Sequence, residues 1–128
     1  MAIQDKFNKP NVIYKITKDI DLDGGTLTIP AGCTLDFQGG SFKNGVINFN
    51  NAKLIGSIRF DTSLSFKDTP FNSLIDITWF GAKGDNLTDN ASILNHVITN
   101  VNSNYMPCTI FIPSGMYKYS DIINIKCD

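Results

Sequence analysis

The acidic residues of this chain are the groups best suited to metal or acid–base chemistry, and all twelve are aspartates. Asp19, Asp21 and Asp23 stand at alternate positions before Gly24, which imitates the start of an EF-hand calcium loop. The twelfth position of such a loop needs a bidentate glutamate, and here it is Pro30. Apolar residues alternate with the acids, so the pattern favours a solvated strand face that runs into a turn.

Asp85 and Asp89 form a second possible carboxylate pair, four residues apart. A glycosidase needs two carboxyls at a defined separation across the scissile bond. The spacing at the start of a predicted helix is better explained by a turn and an N-cap, with Asp89 or Thr88 as the cap. The remaining acids considered show no paired spacing; they are Asp36, Asp61, Asp68 and Asp76.

His96 is the only histidine and lies opposite the apolar arc of the predicted helix, so we expect it at the surface and outside any triad. Arg59 stands beside Phe60. We expect it to be a surface or stacking residue rather than the arginine of a polysaccharide lyase. Trp79 and Phe80 could form a sugar platform, but Phe80 is expected in the core and Trp79 in packing or at an interface.

Cys33, Cys108 and Cys127 are too widely spaced to predict a disulfide or a zinc site. We expect reduced, buried thiols, or for Cys127 an exposed reactive one. Together these patterns predict no catalytic residue, no cofactor and no metal in this chain.

Charge and hydropathy narrow the possible partners. Eleven basic and twelve acidic residues give a net charge of −1, which argues against nucleic-acid binding. No segment has the length and apolarity of a signal peptide or a membrane span. We therefore expect synthesis in a cytoplasm and no membrane span.

The elements that would position these residues are predicted to be short strands. Helix formers are scarce, while Ile, Thr, Phe, Asn and Gly are abundant. Apolar bursts recur every eight to twelve residues between turn residues, which favours a β-solenoid over a jelly-roll sandwich. The bursts are Ile20/Leu22, Leu27/Ile29, Leu35/Phe37, Ile47/Phe49 and Ile58/Phe60.

The chain is predicted to divide into regions 1–75 and 76–128. A strand is expected at Val12–Ile16, and residues 61–75 are expected to be a connector without strand rhythm. The second region is predicted to contain a strand at 77–80, a turn at 81–85, one helix at about 89–101, and strands at 109–112 and 122–125. Similar Ile-Pro corners at 29–30 and 112–113, each with a following glycine, suggest a shared architecture.

The segment Trp79-Phe80-Gly81-Ala82-Lys83-Gly84-Asp85, continuing to Ile93, resembles the opening motif of the pectate-lyase-like superfamily. The strand Ile110-Phe111-Ile112-Pro113-Ser114-Gly115-Met116-Tyr117 is similar to its next element. The chain departs from the motif at Asn86, Asn90 and Ala91. Residues 13–56 are also similar to a segment that precedes such β-helices in proteins of gut Bacteroidales and their phages.

The resemblance implies an all-β fold, the start of a right-handed parallel β-helix with one short α-helix that caps the first exposed coil. In these families sugar binding and cleavage belong to later coils, so the chain would be an N-terminal fragment or a short relative.

The expected function is a structural attachment module of a phage tail fibre or tailspike, located in the virion. The expected partners are two further copies in a homotrimer, neighbouring tail proteins, and a host polysaccharide bound through downstream coils. The alternatives are the N-terminal part of a polysaccharide lyase or hydrolase, and a carbohydrate-binding module.

Overall fold

The computed structural model describes residues 3–67, 74–103 and 109–120. Within them the fold is all-β with one α-helix, α1, at Ala91–Ser103, and short 3₁₀ helices at Gln4–Lys6 and Ile77–Phe80. The strands are β1 Ile13–Ile16, β2 Asp19–Asp21, β3 Thr26–Thr28, β4 Thr34–Phe37, β5 Ser41–Lys43, β6 Gly45–Asn48, β7 Lys53–Gly56, β8 Leu64–Lys67, β9 Leu74–Asp76, β10 Asp85–Asp89, β11 Thr109–Phe111 and β12 Met116–Lys118.

All strand pairs of the described residues are parallel, and consecutive strands belong to different sheets. The first eight strands form the sheets β1–β4–β7, β2–β5 and β3–β6–β8, and the last four pair as β9–β11 and β10–β12. Paired residues of the first three sheets lie 19 to 22 positions apart in the chain. An antiparallel jelly-roll sandwich would not give this pairing, so that alternative is wrong.

The pairing defines three repeats, β1–β3, β4–β6 and β7–β8, each stacked on the next. Side chains alternate between more exposed and buried positions along β3, β4 and β8, so residues at the same register stack inside. Leu27, Ile47 and Phe66 form one such internal stack, and none is more than 2% exposed. The period-2 bursts of the sequence therefore become the core.

Phenylalanine rings connect the repeats through the centre of the molecule. Phe37 contacts Phe60 edge to face with ring centroids 5.4 Å apart, and Phe60 and Phe66 both contact Phe80 at similar separations. Phe80 lies beyond the predicted boundary at residue 75. One core thus crosses that position, while the division into domains stays a prediction.

The predicted strand at 77–80 is wrong, because these residues form a 3₁₀ helix. The Asp76 carboxylate accepts a hydrogen bond from the Thr78 N–H at 2.8 Å, and Gly81 ends the helix at a φ of +92°. That conformation favours glycine. Local capping therefore decides the backbone here, even though the residue types favour a strand.

The predicted connector at 61–75 is wrong, because it contains β8 and most of β9. Leu64 and Phe66 alternate toward the core and β8 pairs with β6. The burst at Ile58 and Phe60 is not a strand, because the Phe60 N–H donates to the carbonyl oxygen of Trp79 outside any ladder. Apolar spacing located the buried positions of this region but not the pairing of its backbone.

The single predicted helix is confirmed, but its start is displaced. Asp89 still belongs to β10, where it pairs with Lys118, and the first helical hydrogen bond runs from the Leu94 N–H to the Asn90 carbonyl. The predictions for Asp68, Cys108, Cys127 and the strand at 122–125 lie outside the described residues.

Candidate functional site

The outer strands of the stacked sheets carry backbone N–H and C=O groups that no further strand among the described residues pairs, and these groups can bind side chains or other chains. In a parallel ladder the N–H and C=O of one residue point to the same neighbour, and those of the next residue point the other way. Ile29 donates its N–H to Asn48, so Thr28 points away from β6 at the free edge of β3.

Gln4 closes that edge. Its Nε2 donates to the Thr28 carbonyl at 2.9 Å, and its Oε1 accepts the Thr28 N–H at 2.9 Å. The side-chain amide thus replaces the next strand. Phe7, which is buried, packs beneath the first repeat against Tyr14 and Phe42. Residues 4 to 7 therefore cover this part of the first repeat.

The opposite edge of the same sheet is closed from α1. His96 Nε2 lies 2.6 Å from the Leu64 carbonyl oxygen, and the Phe66 N–H donates to Asn100 Oδ1 at 3.0 Å. His96 and Asn100 are four residues apart and share one face of the helix. Side chains therefore close both free edges of β3–β6–β8.

Two expectations are corrected by this arrangement. The helix covers the edge of β8 in the third repeat and does not cap the first. His96 is half-buried against Phe80, with ring centroids 5.7 Å apart, and is not a surface residue. The apolar arc of the helix did not predict this, because β8 presents polar backbone groups to the side where His96 and Asn100 lie.

The aspartates serve mainly as acceptors for nearby backbone N–H groups. In five of them a carboxylate oxygen accepts the backbone N–H of the residue two positions later, at 2.8 to 3.1 Å, which is the geometry of an Asx turn. The residues concerned are Asp21, Asp61, Asp76, Asp85 and Asp89. They stabilise corners between short strands.

Asp85 has the strongest shell of donors. Backbone N–H groups of Thr88 and Leu87, then the Thr88 hydroxyl, lower the pKa of Asp85 from 3.8 to about 2. These hydrogen bonds favour the charged carboxylate. Thr88 therefore binds Asp85 and is not the helix cap. The turn predicted at 81–85 is wrong at Asp85, which begins β10, but Asp85 accepts backbone N–H groups as predicted.

Asp89 joins the helix start to Ser120, which follows β12. Its carboxylate accepts the Ser120 hydroxyl, the Ala91 N–H at 3.1 Å and the Ser120 N–H at 3.2 Å, and these bonds lower its pKa. The cap prediction is confirmed to this extent. The four displaced aspartate pKa values all move downward, whereas a glycosidase acid needs a raised one.

The EF-hand-like segment is the strand running into a turn that its pattern predicts. Asp19 and Asp21 lie on β2, and Asp23 takes a left-handed φ of +50°. The Asp23 N–H and the Asn44 amide both donate to Asp21 and lower its pKa. Within residues 3–67, 74–103 and 109–120 no cluster of three His, Cys or Asp could hold a metal ion.

Arg59 is a surface residue, as predicted. Its Nη2 lies 2.9 Å from Asp19 Oδ1, and both side chains are more than half exposed. Ser41 donates to the same oxygen at 3.0 Å. With Phe60 and Asp61 they line a pocket of about 140 Å³, where the arginine charge is already partnered.

Trp79, Phe80 and Cys33 belong to the packing. Phe80 is buried, as predicted, and Trp79 is half-buried with its ring edge to face with Phe60, at 6.5 Å between centroids. Cys33 is a buried free thiol, which agrees with its prediction.

A groove lies beside the first repeat, between the N-terminal 3₁₀ helix and the outer edges of β1 and β2. Its volume is about 430 Å³. It is lined by Ile3, Lys6, Phe7, Tyr14, Lys15, Thr17, Lys18, Asp19, Ile20 and Asp21. The sequence did not predict this groove or the edge-closing role of Gln4. The lysines near the N-terminus were the only sequence signal of the groove.

Comparison with known protein families gives a match for the C-terminal part of the chain. Residues 74–127 match the family described as rhamnogalacturonase A/epimerase, pectate lyase-like. This supports the broad pectate-lyase-like superfamily for that part of the chain. The match spans less than half of the 128 residues. No curated protein and no solved structure gives a significant match. Of the helices in the described part of the chain, none has the length and apolarity to cross a membrane.

Proposed function

We propose that this chain is a structural attachment module of a phage tail fibre or tailspike, built as the start of a right-handed parallel β-helix. The observation that carries the proposal is that polar side chains stabilise the fold by hydrogen bonding to the backbone. Gln4, His96 and Asn100 close strand edges, and aspartates bind corner N–H groups. These groups hold a stack of repeats together, and a rigid stack is what an attachment module needs.

The superfamily match at 74–127 supports the β-helix, because the parallel pairing continues from β9 to β11 and from β10 to β12 across that region. Sheet β1–β4–β7 offers a contact surface for further copies. Ile13 is 63% exposed and Ile55 is 36% exposed, and such side chains gain free energy when covered. A homotrimer in the virion is the proposed assembly.

The test measures the mass of the full chain by light scattering and its binding to purified phage tails. We expect three times the 14.1 kDa of one chain, and saturable binding to a tail protein. An Ile13→Asp/Ile55→Asp double variant should lower the mass, while a Ser92→Asp/Thr99→Asp control, at exposed positions of α1 outside this sheet, should not. A monomer that binds no tail component would refute the proposal.

The match to a rhamnogalacturonase A/epimerase family favours a second candidate, the N-terminal part of a polysaccharide lyase or hydrolase. Against it stand the lowered pKa of Asp85 and Asp89 and the partnered charge of Arg59. Incubation of the chain with rhamnogalacturonan, followed by detection of new reducing ends or unsaturated products, tests it. Degradation lost in a variant of one of these three residues would favour the enzyme.

A further inference from the structure

We propose that the outer edges of β1 and β2 form a docking site for an extended acidic peptide segment of a partner protein, which adds a strand to the first repeat. The inference deepens the attachment role proposed above and rests on it only for the identity of the partner.

The backbone of these two strands has hydrogen-bonding groups to offer. The carbonyls of Val12 and Ile16 accept N–H groups of the second repeat. Because backbone groups alternate in direction along a parallel strand, the N–H and C=O of Lys15 point away from β4, toward the outer edge. At the two ends of β2 the backbone groups of Lys18 and Leu22 bond to Ser41 and Lys43 of β5. The backbone N–H and C=O of Asp19 and Asp21 therefore point the other way, toward the outer edge. Lys15, Asp19 and Asp21 all line the 430 Å³ groove.

The outer edges of β1 and β2 differ from the outer edge of β3, which a side chain closes. Gln4 takes both backbone groups of Thr28, whereas β1 and β2 end their sheets with no further strand among the described residues. An unpaired edge is a template for another strand, and natural folds usually block it. Here the 3₁₀ helix Gln4–Lys6 stands beside the edge and forms a wall of the groove.

Charge selects the occupant. Lys6, Lys15 and Lys18 line the groove and are exposed, and the only salt bridge among the described residues is Arg59–Asp19. The carboxylate of Asp21 is already bonded to the Asp23 N–H and the Asn44 amide. The groove therefore presents three lysine charges beside Asp19, which is paired with Arg59, and Asp21, whose carboxylate keeps its negative charge. Positive charge remains in excess along the groove, which favours an acidic strand.

Apolar surface lies under the same strands. Phe7, Tyr14 and Ile20 line the groove between the lysines. Since alternate residues of a strand point to opposite sides, a peptide with acids at every second position would direct apolar side chains toward this surface. The complementary segment is therefore an extended sequence that alternates acidic and apolar residues.

The test uses a fluorescent peptide of about nine residues that alternates aspartate and valine, sufficient to follow β1 and β2. Fluorescence anisotropy with the full chain should give saturable binding that weakens as salt is raised. A lysine–valine peptide should bind at least about tenfold more weakly, as should an acidic peptide with proline at alternate positions. Equal binding of all three peptides, or none at all, would overturn the inference.

Two variants place the site. Lys15→Pro removes one outward N–H without taking a donor from the β1–β4 ladder, and it should weaken binding at least about tenfold. Lys6→Glu/Lys18→Glu lies outside the strands, so it tests the charges even if the proline variant does not fold, and the same loss is expected. Lys53→Glu/Lys83→Glu is the charge-matched control and should bind nearly as well as the original chain.

The remaining outcomes are also decisive. If folded Lys15→Pro binds the acidic peptide unchanged, strand addition is wrong. If the chain self-associates through this edge and Lys15→Pro prevents it, the occupant is a second copy and the acidic partner is wrong. Peptide binding without any tail binding would support the docking site and refute the attachment role. Tail binding without peptide binding would do the reverse.

Discussion

His96 Nε2 donates a hydrogen bond to the carbonyl oxygen of Leu64 over 2.6 Å, which joins the described α-helix to the edge of a strand 32 residues earlier. A carbonyl can only accept, so Nε2 carries a proton. Asn100, one turn further along, accepts the Phe66 N–H. A helix side chain pair thus occupies the position of a missing fourth strand.

The Asn100 contact should contribute strongly to stability. Asn100 is only 7% exposed, so Asn100→Ala leaves the Phe66 N–H without this acceptor and should cost about 1 to 3 kcal/mol of unfolding free energy. Urea denaturation measures the loss. The double variant with His96→Ala should lose less than the sum of the single losses, because both residues close one edge. Strict additivity would contradict a shared role.

Gln4 is expected to protect the opposite edge. Gln4→Ala removes both hydrogen bonds to Thr28 and should lower the free energy of unfolding by about 1 kcal/mol. It should also increase aggregation in light scattering, because the β3 edge becomes available to other chains. Gln38→Ala is the control: that residue is exposed, and its side-chain amide donates to the Asp36 carboxylate and not to a strand edge. Equal behaviour of the two variants would refute the edge-closing role.

The lowered pKa of Asp85 predicts that the stability of the fold depends on pH. Its folded pKa of about 2 lies below its ordinary value of 3.8, so the folded state binds this proton less readily than the unfolded state does. The resulting stabilisation is complete above the ordinary value and is lost as the pH falls toward the folded pKa.

Thermal unfolding midpoints measured from pH 5 down to about pH 2 test this dependence. The difference between the original chain and Asp85→Asn should be largest at pH 5 and should shrink as the pH falls. The exposed Asp5 supplies the control variant Asp5→Asn. A difference that stays constant or grows toward low pH would contradict the assigned donors.

Two glycines separate backbone strain from steric contact. Gly24 and Gly56 both have left-handed φ values, +73° and +86°. A Cβ on Gly24 meets nothing within 4 Å, whereas one on Gly56 collides with the Phe37 carbonyl oxygen.

We therefore expect Gly24→Ala to cost about 1 kcal/mol and Gly56→Ala more than about 2 kcal/mol of unfolding free energy. Chemical denaturation of both variants measures the difference. Equal losses would mean that β7 can move away from β4 at no cost, contrary to the close stacking of the repeats.

The amino-acid sequence by itself determined the composition of the core and the kind of corner. Period-2 bursts predicted the buried positions Leu27, Leu35 and Ile47, and turn residues predicted the left-handed corner at Asp23. These are local properties, because side-chain alternation and the conformational freedom of one residue depend on near neighbours. The aspartates at 85 and 89 were predicted as turn and cap residues for the same reason.

Only the tertiary structure decided which backbone groups needed a partner. Gln4 and Thr28 are 24 residues apart, and His96 and Leu64 are 32 apart, so no local pattern relates them. His96 was predicted at the surface because helical periodicity ranks positions by hydrophobicity alone. It lies inward because β8 leaves a carbonyl unpaired there, and an unpaired buried polar group costs more free energy than burying an imidazole that bonds it.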